Sequence, residues 1–122
     1  MLQRIFKKVF AQLTWASWVP TRTGWTDVLA PTVTARYSQL GKIVFFQVKV
    51  VPGTTVATVA GTSYISLPVT AAGLAGDGSM TDLTSLVSIG PCTFDAANSR
   101  CYVPSQVASG DTFLIAGWHE AA

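Results

Sequence analysis

Val33-Thr34-Ala35-Arg36-Tyr37-Ser38-Gln39-Leu40-Gly41-Lys42-Ile43-Val44-Phe45-Phe46-Gln47-Val48-Lys49-Val50-Val51 alternates apolar and polar residues on both sides of Gly41-Lys42. A two-residue turn at that point sets Leu40 opposite Ile43, Tyr37 opposite Phe46, Ala35 opposite Val48 and Val33 opposite Val50. One face of the hairpin then collects Val33, Ala35, Tyr37, Val44, Phe46, Val48 and Val50. The other collects Thr34, Arg36, Ser38, Gln47 and Lys49. Moving the turn back to Leu40-Gly41 slides the pairing by two residues and leaves both faces unchanged, so the dry face is fixed by parity alone. Near the turn, Leu40, Ile43 and Phe45 fall on the otherwise polar face, which implies a second buried surface.

The composition agrees with such a surface. Of 122 residues, 49% are hydrophobic and 11% charged, against roughly 25% charged in an ordinary soluble domain. A surface so poor in ions is either clothed in neutral hydroxyls or covered by other subunits, and both are expected. The Thr-, Val- and Gly-rich composition with recurrent turn signals predicts an all-β, antiparallel β-sandwich, jelly-roll-like, of about eight to nine strands. Thr55 to Val59, Tyr64 to Leu67, Leu83 to Ile89 and Thr112 to Trp118 read as further strands. In the last, Leu114 and Trp118 oppose Phe113 and Ile115, so the strand is central or covered by a neighbour. Residues 71–82 read as a Gly-rich loop.

Leu2, Ile5, Phe6, Val9, Phe10 and Leu13 recur at helical spacing, with Arg4, Lys7 and Lys8 between them. They predict a short amphipathic helix that needs a surface to dock on, since about 12 residues are marginal alone. The domain organisation expected is therefore residues 1–17 as a helical docking segment and residues 18–122 as the sandwich. Trp15, Trp18 and Trp25 follow; they read as packing anchors, with a sugar-stacking platform as the alternative. No apolar run approaches the roughly 20 residues of a transmembrane helix. Residues 14–122 carry five bases and six acids, which excludes a basic nucleic-acid-binding stripe.

No catalytic set is legible. His119 stands alone near the end of the sequence and reads as a solvated tail residue. Asp77, Asp82, Asp95 and Asp111 fall in turn-like contexts where Asp is expected for its backbone hydrogen bonds. No metal-spaced Cys/His cluster and no phosphate loop occur, so neither a metal nor a cofactor is expected. Cys92 and Cys101 flank a hairpin around Ala96 to Ser99, diagonal to one another. Two small buried thiols are the favoured reading and a disulfide the alternative.

Trp18-Val19-Pro20-Thr21-Arg22-Thr23-Gly24-Trp25, followed by Ala35-Arg36-Tyr37-Ser38-Gln39-Leu40-Gly41-Lys42-Ile43-Val44-Phe45-Phe46 and by Ile65-Ser66-Leu67-Pro68, resembles a small β-sandwich module of tailed-bacteriophage virion proteins, of the tail-fibre tip, head-fibre or decoration type. The resemblance spans residues 18–120. It implies a non-enzymatic homotrimer on the virion surface, assembled in the bacterial cytoplasm. Joined to the readings above, it makes Leu40, Ile43, Phe45 and Trp118 subunit contacts. The stripe Leu2, Ile5, Phe6, Val9, Phe10 and Leu13 then docks on a capsid, portal or tail protein. Contact with a host surface glycan is a further option, without membrane insertion. The chain has no fibre shaft between its leading segment and the module, which favours a short appendage. The alternative is a free carbohydrate-binding module using Trp15, Trp18, Trp25 or Trp118.

Overall fold

The structure, a computed structural model, describes residues 14–122, apart from the side chains of residues 73–75. The expected helix and its apolar stripe lie outside the described residues. Thirteen strands follow: β1 (Ala16–Trp18), β2 (Arg22–Thr23), β3 (Thr26–Val28), β4 (Thr32–Leu40), β5 (Ile43–Val51), β6 (Thr55–Thr58), β7 (Tyr64–Ser66), β8 (Ala71–Asp82), β9 (Val87–Pro91), β10 (Thr93–Asp95), β11 (Arg100–Tyr102), β12 (Gln106–Ser109) and β13 (Phe113–Ala121). Every pairing is antiparallel. A six-stranded sheet runs β1-β4-β5-β13-β8-β9. A four-stranded sheet, β10-β11-β7-β2, and a three-stranded one, β12-β6-β3, complete an all-β, sandwich-like fold. The surplus over the expected strand number consists of elements of two to four residues in the smaller sheets. β1 takes in Ala16 and Ser17, so the large sheet begins ahead of residue 18.

The β4–β5 hairpin has the register its alternation dictates, with Leu40 opposite Ile43, Tyr37 opposite Phe46 and Val33 opposite Val50. Its dry face meets Val56 of β6, Ile65 of β7, Met80 of β8, Cys101 of β11 and Phe113 and Ile115 of β13 in one core. Phe46 is the centre of an aromatic set. Trp18 stands edge-on to it at 6.2 Å and Phe94 at 6.0 Å. β13 lies between β5 and β8; its inner residues Phe113 and Ile115 are buried, while Leu114 and Trp118 on its outer face are only half-buried.

Two expectations are corrected. Residues 71–82 form a twelve-residue strand, not a loop. Their glycines are needed for close approach: a Cβ at Gly76 would stand 2.7 Å from the Phe94 ring, and one at Gly78 2.8 Å from the Ala116 carbonyl. Gly in a strand interior here marks the place where another layer comes near. Leu83 to Ile89 is not one strand. Residues 83–86 turn, with Leu86 in the left-handed region at φ 59°, and β9 starts only at Val87. The Asp82 carboxylate holds the turn by accepting from the Thr84 and Ser85 amides, each at 2.9 Å.

Gly117 of β13 faces Gly78 of β8 across the ladder, and a Cβ there would meet the Asp77 carbonyl. Gly117→Ala is expected to lower stability by about 1–3 kcal/mol through overpacking. Gly41→Ala, at a turn with open space around it, should cost only the left-handed backbone penalty of about 1 kcal/mol. Urea unfolding of the two variants checks the difference; equal losses would contradict the close approach of β8 to β13.

Candidate functional site

Parity in β5 builds the site. Phe46, Val48 and Val50 point inward, so Ile43, Phe45, Gln47 and Lys49 point outward. Registers on either side then lay out rows across the outer face of the large sheet. Phe45 sits between Ser38 of β4 and Trp118 of β13. Ile43 sits between Leu40 and Glu120, and Gln47 between Arg36 and Ala116. Leu40, Ile43, Phe45 and Trp118, expected to share one surface, do share it. Leu40 is 36% exposed and Phe45 39%.

The face is electrically divided. Arg36 and Lys49 lie on its β4–β5 half. Asp77, opposite Trp118, and Glu120, opposite Ile43, lie on its β8 and β13 half. Asp77 is therefore a mid-strand residue, not a turn residue as expected. Asp95 does hold a turn, accepting from the Asn98 amide.

Trp15 precedes β1, whose pairing of Ala16 with Tyr37 carries it over the Ser38 row. The Arg36 guanidinium stacks 4.4 Å from its ring centre. Arg36 Nε also donates to Gln47 Oε1 at 2.9 Å. Between these groups runs a cleft of about 310 Å³, lined by Trp15, Ser38, Phe45, Gln47, Ala116 and Gly117. Ser38 is 2% exposed, and its Oγ has no hydrogen-bond partner among the described residues. A buried hydroxyl left so costs about 1–3 kcal/mol. Another cleft of about 470 Å³ is lined by Ala60, Gly61, Pro91, Thr93, Tyr102 and Pro104; none of these side chains is a buried unpaired polar group.

The four tryptophans divide. Trp18 packs edge-on to Tyr37 and Phe46. Trp25 stacks on Phe113 at 5.7 Å and donates to the Tyr64 carbonyl. Only Trp15 and Trp118 reach the outer face. Ser38, Gln47 and Ala116 were not expected as site residues. Their parity was legible, but Trp15 overhead depends on a three-residue strand with no pattern of its own.

His119 corrects another expectation. It is 1% exposed, on the inner side of β13, with Phe46 6.2 Å away. Nδ1 lies 3.2 Å from the Glu120 carbonyl, and Nε2 is unpartnered among the described residues. Cys92 and Cys101 are both free. Each thiol shifts the other: the neighbouring Cys101 holds Cys92 below its ordinary value, and Cys92 together with burial holds Cys101 above it. The neighbouring Asp82 carboxylate holds Asp111 above its ordinary value. No family model, curated protein or solved structure matches the chain.

Burial holds the His119 pKa below its ordinary 6.5, outweighing the opposing Glu120 backbone contact. Its folded form thus resists a proton that the unfolded chain accepts. The stability contributed by the neutral ring is complete above 6.5 and is lost as pH falls below it toward the folded pKa. Urea midpoints are expected to fall between about pH 7 and pH 5 in the native protein and to stay flatter in His119→Leu. Equal slopes would place the ring in contact with water.

Proposed function

We propose that the chain is a non-enzymatic structural protein of a tailed-phage virion. In this reading it is a trimeric surface appendage, a short fibre, tip or head decoration. Its sandwich is jelly-roll-like, and its leading segment docks it to another virion protein. The observation that carries the reading is the apolar row Leu40, Ile43, Phe45 and Trp118 on the outer face of a sheet whose inner face already covers a complete core. Nothing in the fold needs those side chains to be apolar. A second copy gives them a reason, because the positive half of one face, Arg36 and Lys49, complements the negative half, Asp77 and Glu120, of the next. Three linked copies also turn weak host contacts into lasting attachment.

Light scattering on the purified protein is expected to give about three times the 12.9 kDa chain mass. Phe45→Glu should release monomers with an unchanged far-ultraviolet spectrum. A native protein that runs as a monomer at micromolar concentration overturns the assembly. Ile5→Asp should leave the trimer intact and abolish co-purification with particles; continued co-purification would remove the anchoring role of residues 1–17.

A further inference from the structure

The Trp15 cleft shares Phe45 with the apolar row beside it and otherwise has different walls. The row is a ridge of large side chains. The cleft is a trough across the strands, floored by Ala116 and Gly117, the small residues of β13. Three features equip it for a ligand. Trp15 is a flat wall, 46% exposed, and Arg36 fixes it by stacking at 4.4 Å. Gln47 is held by Arg36 through Oε1, so Nε2 is the amide atom left to donate. Ser38 Oγ is buried and unpartnered, able both to give and to accept one bond. A buried hydroxyl without a partner calls for an explanation, and a bound polar group supplies one.

The lining also defines the ligand chemistry. No ionisable side chain lines the trough, and Arg36 is engaged by Trp15 and Gln47. The lining residues offer a ligand no ion pair, so an uncharged ligand fits them. It needs an apolar face for the indole and hydroxyls at its rim for Ser38 and Gln47. A pyranose ring has both: axial C–H groups on one face and equatorial hydroxyls at the edge. We propose that the trough is a saccharide-binding subsite for a neutral hexopyranose, with Trp15 as the stacking wall and Ser38 and Gln47 as hydroxyl ligands. The proposal does not rest on the trimer, since every group named belongs to one chain.

Saturation-transfer NMR with D-glucose, D-galactose, D-mannose and N-acetyl-D-glucosamine, each tested separately on the full chain, provides the test. At least one is expected to bind with a Kd of the order of millimolar, with transfer strongest to the protons of one ring face. Trp15→Ala should weaken binding by about tenfold or more. Ser38→Ala should weaken it about tenfold and leave the melting temperature equal or higher, because it removes an unsatisfied hydroxyl. Silence with all four sugars overturns the proposal, as does binding that survives both substitutions. A lower melting temperature in Ser38→Ala overturns it too, since the hydroxyl would then have an internal partner. Light scattering on the same samples separates the two ideas: lost sugar binding with an intact trimer concerns the trough alone.

Discussion

The structure depends on the locked parity of β5. Its inner residues Val44, Phe46, Val48 and Val50 are all buried, and each large one contributes about 1.5–3 kcal/mol by leaving water. A slip of one residue against β4 would turn these four outward and drive Gln47 and Lys49 into the core. Burying an unpaired ammonium is so costly that no register slipped by an odd number of residues competes. β13 reads its own register from β5 along eight residues, Phe113 to Glu120. β8 then reads its register from β13. The outer rows that carry Phe45, Trp118, Gln47 and Ala116 are thus a consequence of the inner ones.

Close approach is the second constraint. Phe94, from the four-stranded sheet, reaches Phe46 only because Gly76 and Gly78 offer it bare backbone. Larger residues there would push the two layers apart, and a gap even a fraction of an ångström wide forfeits much of the dispersion contact. The glycines of β8 therefore belong to the core as much as Phe46 does, although they bury no side chain.

This explains what the sequence could and could not disclose. The hairpin was legible because both of its strands are long, alternate strictly and are joined locally. Apolar residues on both faces of β13 left it either central or covered by a neighbour, and its place between β5 and β8 shows that it is central. β8 was not, since glycine ordinarily argues against a strand, and the residues that require it, Phe94 and Gly117, lie far along the chain. The same distance hid His119, whose burial follows from its place on β13 between β5 and β8. For the candidate site, the apolar row could be read from parity plus one register. The trough could not: it arises where Trp15 is carried over Ser38 by β1, and three residues of strand leave no periodic signal.

One outer face can hold both surfaces because the strand pleat separates them. Phe45 and Trp118 stand in adjacent positions and form a wall across the sheet. Leu40 and Ile43 lie on the turn side of that wall; Gln47 and Ala116 lie on the other. In the proposed assembly, a neighbouring subunit on the turn side would leave the trough open toward Arg36 and Lys49. Arg36 then acts twice. Its planar head holds Trp15 by stacking and Gln47 by the Nε bond, which leaves its charge at the open side of the trough. Lysine could supply the charge but not the planar stack or the directed Nε donor. The use of arginine at this position, on a chain with so few charges, is therefore what the trough demands and what assembly alone does not.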